Sequence, residues 1–305
     1  MPHLIFRTIF AALVALGCAP AQTDAPKAPG RYEEHITSGG LDRKFFLHVP
    51  PGYDGMKPIP VVVVLHGWTA SAELAEIYTR MAEEGDANGF ATAFPEGEGK
   101  PGWQGWNAGF INLSGTSSLD DVRFVSDVLD QVEKELSVDR KQEFVCGHSN
   151  GAFLANLIGS RLSNRLAAIG SVAGTIGVGG KDIPDPVSPV SVILFHGTAD
   201  NMVAYAKGAH AMLTGVGAQD SAKWWADRDG CSPTPAISTS GNATITLYSG
   251  GKVGTQVELV SIANGSHNWP GGYRYGPDGK PALETATGVN AADLLWTFFR
   301  THPKS

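Results

Sequence analysis

The stretch Val145-Cys146-Gly147-His148-Ser149-Asn150-Gly151 sets Gly-x-Ser-x-Gly between an apolar run and a segment of helical character. That order of strand, sharp turn and helix leaves few folds open to the chain. The turn lifts a serine oxygen clear of the sheet, and its flanking positions need glycine because a side chain there would strike neighbouring backbone. The pattern occurs once in the 305 residues. Three fixed positions in five also arise by chance as a plain glycine turn, and only an acid and a histidine further along the chain can decide between the two.

A serine hydroxyl is a poor nucleophile near neutral pH; it needs an adjacent base, which needs a partner to hold its tautomer. Around an elbow of this kind the chain order is serine, then acid, then histidine. Asp200 alone among the later carboxylates follows a long apolar strand through a short turn, His196-Gly197-Thr198-Ala199-Asp200. The plainer reading of Asp200 is a turn-forming Asx residue. Only His210, His267 and His302 lie beyond it. His210 comes too soon to lie past another strand, and His302 sits in the polar tail. His267 lies in Asn264-Gly265-Ser266-His267-Asn268-Trp269-Pro270, directly after the last predicted strand. The candidate triad is therefore Ser149, Asp200 and His267, while His66, His148 and His196 are expected to make structural or cleft-lining hydrogen bonds. Charge on a tetrahedral intermediate needs fixed donors. The amides of Asn150, just after the serine, and of Trp68, in the loop after the third strand, stand in the right places.

The remaining chain alternates strands and helices. Residues 32–37 and 44–49 read as two strands about Ser38-Gly39-Gly40, and 59–65 is a valine-rich run of the kind buried on both faces in a parallel sheet. Ser71 is placed to cap a helix running to about Glu84, ahead of a strand over 90–94. Ser118 is placed to cap a second helix, with Asp120 and Asp121 as helix-terminal charges and Val122, Val125, Val128, Leu129 and Val132 on its apolar face. Further strands are expected over 166–172, 189–195, 243–248 and 256–261. A helix carrying Trp224 and Trp225 ends at Gly230, and a final helix is capped by Asn290. This alternation predicts an α/β fold with a mostly parallel central sheet and helices on both faces, in a single domain over 31–305. Gly97-Glu98-Gly99-Lys100-Pro101-Gly102 matches a dinucleotide fingerprint only formally, because Pro101 does not open a helix. No metal-binding or Walker sequence is present, so no cofactor is implied. The net charge of −7 argues against nucleic acid as a partner.

The N-terminus reads as a signal peptide over residues 1–21: Arg7, an apolar run over 9–17, and Ala19-Pro20-Ala21 before Gln22. The run is shorter than the roughly 20 residues that span a bilayer. Ala15-Leu16-Gly17-Cys18 is also similar to a lipoprotein box, which would make the signal 1–17 and lipidate Cys18, although Ala15 stands where such boxes usually have Leu. Residues 22–30 read as a linker. Export makes the protein secreted or periplasmic, and membrane-bound only if Cys18 is lipidated. Of three cysteines, Cys146 and Cys231 remain after signal removal, in a compartment that permits disulfides. They are expected to pair, the alternative being two separately buried thiols.

The chain resembles secreted bacterial esterases of the feruloyl esterase and polyhydroxybutyrate depolymerase type, related to carbohydrate esterase family one. The matching segments run in order: Leu65-His66-Gly67, Trp106-Asn107, Asp120-Asp121-Val122-Arg123-Phe124, Gly147-His148-Ser149-Asn150-Gly151, the stretch Ala167 to Gly174, His196-Gly197-Thr198-Ala199-Asp200, Gly230-Cys231 and His267-Asn268-Trp269-Pro270-Gly271. The resemblance implies an α/β-hydrolase fold, the same three triad residues, and hydrolysis of carboxylic esters. Ala152 and Ser266 stand where such enzymes often have glycine. The resemblance leaves the substrate open between a feruloyl-type ester, a hydroxyalkanoate oligomer and an acetylated polysaccharide. Trp68, Trp103, Trp106 and Trp269 fall in loops expected at the sheet's carboxyl edge, where aromatic walls suit a phenolic acyl group or a sugar face. A prolyl-oligopeptidase-type peptidase and a non-catalytic surface lipoprotein are the alternatives from other classes.

Overall fold

A computed structural model describes residues 26–113, 115, 118–178, 181–275, 281–283 and 288–305. The signal-like segment, with Cys18, and residues 22–25 of the linker lie outside them. The rest of the linker is docked: the Lys27 amide donates to the Glu135 carbonyl at 3.0 Å and its ammonium meets Glu34 at 2.6 Å.

Elements run in the order β1 (Gly30–Ser38), β2 (Leu41–Val49), β3 (Ile59–Leu65), α1 (Ala72–Thr79), α2 (Met81–Asn88), β4 (Ala91–Pro95), α3 (Asp121–Glu135) and β5 (Val138–His148). Then come α4 (Asn150–Arg161), β6 (Ala168–Val172), β7 (Gly177–Val178), β8 (Lys181–Asp182), β9 (Ser191–Gly197) and α5 (Ala218–Asp229). The chain ends with β10 (Ala236–Ser240), β11 (Ala243–Tyr248), β12 (Val257–Ile262), β13 (Tyr273–Tyr275), β14 (Pro281–Leu283) and α6 (Ala291–Phe299). Ten strands form one sheet in the order β1-β2-β4-β3-β5-β6-β9-β12-β11-β10. Neighbours from β4 through β12 pair in parallel, and antiparallel strands close both edges.

Alternation along the central strands builds two cores. In β3, Val61, Val63 and Leu65 face one side and Val62 and Val64 the other; in β9, Val192 and Leu194 oppose Ile193 and Phe195. The first side is covered by α3, α4 and α5, through Phe124, Val128, Phe153, Leu154 and Trp225; the second by α1, α2 and α6, through Ala75, Met81, Leu295 and Phe299. Each buried valine, leucine, isoleucine, phenylalanine or methionine among them contributes about 1.5–3 kcal/mol, which fixes the sheet's register face by face.

Three sequence expectations are corrected. The helix expected over 71–84 is two helices, because Arg80 takes a left-handed φ of 60° between them. Ser71 does cap α1, accepting from the Leu74 amide at 3.2 Å. The cap of α3 is Asp120 and not Ser118: its carboxylate accepts from the Arg123 amide at 2.9 Å. Cys146 and Cys231 are both free thiols. Cys146 points into the core beneath α6 and Cys231 packs against the core on the opposite face, so the sheet itself separates them.

Candidate active site

The parallel strands β3, β5, β9 and β12 all deliver their carboxyl ends to one edge, where ligands gather in open α/β sheets. Ser149 ends the turn out of β5 with φ 54° and ψ −116°, a conformation few non-glycine residues adopt. Its amide donates to the Val172 carbonyl at 2.8 Å, and its carbonyl accepts from Phe153 in α4 at 3.0 Å. Gly151 must be glycine for steric reasons, since a Cβ there would run into the carbonyl oxygens of Leu65 and His66. Losing that side chain lets α4 pass close behind β3.

Asp200 and His267 are brought together by the joining of their two loops. The Ala199 amide donates to the Gly265 carbonyl at 3.0 Å, and the Asn264 amide to the Thr198 hydroxyl at 2.9 Å. Gly197 has room for no Cβ, which would collide with the Gly265 carbonyl. His267 Nε2 then lies 2.8 Å from Ser149 Oγ, and its Nδ1 lies 2.7 Å from Asp200 Oδ2. The other carboxylate oxygen of Asp200 accepts from the Met202 and Val203 amides at 2.8 and 2.9 Å. Burial works to raise the Asp200 pKa, but hydrogen bonds from His196 and His267 outweigh it and hold the carboxyl well below the usual carboxylate range. A charged, oriented carboxylate at Nδ1 leaves Nε2 free to take a proton from the serine.

The loop after β3 is locked from behind. His66 is fully buried and pairs through Nδ1 with the Gly67 carbonyl at 2.7 Å, while its Nε2 accepts from the Gly97 amide at 2.9 Å. Burial pushes its pKa down to about 4, so the ring stays neutral and serves as a spacer between loops. The Asn150 side chain binds the Trp106 backbone, accepting from its amide at 2.7 Å and donating to its carbonyl at 3.3 Å. Thr69, with φ 69°, is pinned through its amide to the Gln104 carbonyl at 2.8 Å. These contacts fix the loop that carries Trp68, which lines the same cavity as Ser149, and the turn into α4 at Asn150.

A cavity of about 550 Å³ opens over Ser149 and His267. Trp68 and Trp269 line it, and so does His148, expected to be structural or cleft-lining; Tyr78, Met202 and Tyr273, which sequence reasoning did not place in a substrate wall, line it too. Nothing in a helical tyrosine or a loop methionine distinguishes them before folding. Trp103 is 61% exposed at the rim, its ring 5.7 Å from that of Trp68. Trp106 lies elsewhere: it has no exposed surface, its indole N–H donates to the His66 carbonyl at 2.8 Å, and it supports the loop instead of facing the cleft. Ser266, one of the two departures from the resembled pattern, accepts from the Asn268 side chain on the cleft wall. Two polar atoms of this wall, Nε2 of His148 and Nε1 of Trp269, are covered and have no partner among the described residues. His148 thus does not make the hydrogen bonds expected of it, whereas His66 and His196 do. His196 Nε2 donates to the Val203 carbonyl at 3.0 Å.

Comparison with known proteins agrees with this architecture. The chain is 30% identical over 235 residues to feruloyl esterase B of Piromyces equi, covering 74% of this chain and 42% of that protein. It is 26% identical over 285 residues to feruloyl esterase C of Emericella nidulans, covering 89% of this chain and 90% of that one. The chain thus spans less than half the length of the first relative and most of the second. A solved acetyl xylan esterase of Aspergillus awamori superposes with a TM-score of 0.61 over 88% of this chain and 99% of its own, at 13% identity, a likeness of fold. Residues 37–274 match the Esterase family. That match covers most of the chain and includes every strand that carries the candidate triad: the protein belongs to the Esterase family and has an α/β-hydrolase fold.

Proposed function

We propose that the protein hydrolyses carboxylic esters through an acyl-enzyme on Ser149. The observation that carries this reading is the hydrogen-bonded relay Ser149–His267–Asp200, at 2.8 and 2.7 Å, on the floor of an aromatic-lined cavity. Ser149 Oγ attacks the ester carbonyl carbon as its proton passes to His267 Nε2. The carbonyl oxygen takes the negative charge and is met by the Trp68 and Asn150 amides; losing one such donor typically costs about 3 kcal/mol of transition-state stabilisation. Collapse of the tetrahedral intermediate breaks the bond to the alkoxy oxygen, which leaves as the alcohol with the proton from His267. Water then repeats the sequence on the acyl-serine and releases the carboxylic acid.

The substrate class we propose is a feruloyl-type or polysaccharide-linked ester. Trp68 and Trp269 on the wall and Trp103 at the rim support it, because indole faces suit aromatic acids and sugar rings alike. The feruloyl esterases among the relatives point the same way. The reading includes export, which rests on the signal-like residues 1–21; among the described residues no helix is long and apolar enough to cross a membrane.

Purified protein should hydrolyse a short p-nitrophenyl ester and be labelled at Ser149 by a fluorophosphonate. Neither reaction occurring would end the enzyme reading. Methyl ferulate, hydroxybutyrate oligomers and acetylated xylan, compared by kcat/KM, then order the substrate classes, and a preference for hydroxybutyrate oligomers would replace the feruloyl assignment.

A further inference from the structure

His148 stands next to the nucleophile in the chain and lines the cavity above it. Its ring is packed among aromatic neighbours, with centroids 5.6 Å from Tyr78, 5.3 Å from His267 and 6.4 Å from Trp269. No hydrogen bond to the ring is found among the described residues, and its Nε2 is covered. A covered polar group without a protein partner is costly, and a functional role is one of the reasons such groups are retained. The ring is neutral, since burial and the neighbouring His267 push its pKa down to about 3. A neutral imidazole carries one N–H. Placing that proton on the covered Nε2 would bury an unpaired donor, so it belongs on Nδ1.

Nδ1 faces a notch. Gly67, at the floor of the same cavity, lacks the side chain that would fill it: a Cβ there would sit 3.4 Å from His148 Nδ1 and 3.5 Å from Ser149 Cβ, both ordinary van der Waals distances. With no side chain on Gly67, the Nδ1 edge of His148, the His148 carbonyl 3.6 Å from that Cβ position and the Ser149 side chain border one corner of the cavity, which a Gly67 methyl group would close off. Resting on the serine-esterase reading above, we propose that His148 and the Gly67 notch form a specificity subsite for an oxygen atom carried within two or three bonds of the scissile ester. Such an oxygen occurs as a hydroxyl on the acyl chain or as a hydroxyl beside the ester oxygen on a sugar-like alcohol. Both present the same chemistry to Nδ1–H.

Two matched substrate pairs separate the sources: ethyl 3-hydroxybutyrate against ethyl butyrate, and trans-2-hydroxycyclohexyl acetate against cyclohexyl acetate. Wild-type protein should favour the hydroxylated member of one pair by about fivefold in kcat/KM, the worth of one neutral hydrogen bond. The pair that shows it names the side. His148→Phe, which removes the donor, and Gly67→Ala, which plugs the notch at a backbone conformation alanine accepts, should each bring that ratio close to one. A wild-type ratio near one in both pairs overturns the subsite, as does an equal loss on both members of a pair in the folded variants. Absence of turnover on all four esters would instead count against the esterase reading itself.

Discussion

Ser149 keeps a backbone conformation that costs a non-glycine residue about 1–3 kcal/mol, and it does so because Gly147 and Gly151 let β5 and α4 close on either side of it. Strain held for chemistry and strain incidental to a turn predict different mutants. Ser149→Ala should abolish ester hydrolysis while leaving the thermal midpoint nearly unchanged, because the hydroxyl bonds His267 and no structural group; a large fall in the midpoint would mean the side chain serves the turn. Asp200→Asn should lower kcat by roughly 10⁴, since an amide at this position orients His267 in the wrong tautomer. A loss below tenfold in steady-state assays would show that another group holds the imidazole. The three candidates Ser149, Asp200 and His267, which the structure places within hydrogen-bonding reach of one another, were legible in the chain because each sits just past a recognisable strand. Trp103 and Trp106 could not be told apart, being three residues apart in one glycine-rich loop. The Asn150 side chain gripping the Trp106 backbone is what sends one indole into the core and leaves the other in solvent.

At the level of elements, continuous apolar runs and 3.6-residue patterns located β3, β4, β6, β9, β12 and α3 to within a few residues, since these are written in burial, whereas β5, half-buried or exposed over its first five residues, showed only the apolar run before the elbow. What was not legible lies where burial says nothing. β10, Ala236–Ser240, is exposed along its length and joins the sheet only through its ladder with β11. The break between α1 and α2 turns on the Arg80 backbone, with Thr79 Oγ1 donating back to the Ala75 carbonyl at 2.7 Å. Caps are equally local, and the start of α3 offers a direct comparison. Asp120→Ala should cost about 1 kcal/mol in urea unfolding, and Ser118→Ala close to nothing; the reverse order would restore Ser118 as the cap. The packing of α4 against β3 gives a larger effect. Gly151→Ala sets a methyl group against two backbone carbonyls that cannot swing aside, so a loss of about 1–3 kcal/mol is expected together with most of the activity, because the Asn150 amide moves with the helix. Unchanged urea midpoint and kcat would show that the helix has slack there.

Across the whole molecule, the sheet acts as a partition. Cys146 and Cys231 look like a pair in a sequence whose only other cysteine is Cys18, but Cys146 points from β5 into the core under α6 while Cys231 follows α5 on the opposite face. Iodoacetamide added to unfolded, unreduced protein should therefore modify both; protection of the two together would restore the bridge. The same partition leaves an acid at the opposite end of the strands from the active site. Asp229 closes α5 with no exposed surface, one oxygen accepting from the Val190 amide at 3.2 Å and the other without a partner among the described residues. Burial pushes its pKa up to about 7, against the pull of that hydrogen bond and of Lys252 and Lys304. A folded-state value above the ordinary carboxylate value of about 4 means the protonated form is the one the fold favours. Its stabilising contribution is complete below about pH 4 and is lost as the pH rises through about 7. Glu143 is also pushed up to about 7 by burial, but it is held by Arg165, so the pH dependence of the wild type mixes two groups. Asp229→Asn isolates one of them: it keeps an acceptor for the Val190 amide and cannot ionise. The variant should gain on the order of 1–3 kcal/mol over wild type at pH 8 and little at pH 5, measured by urea unfolding at both values. An equal difference at the two pH values would mean that Asp229 does not titrate between them.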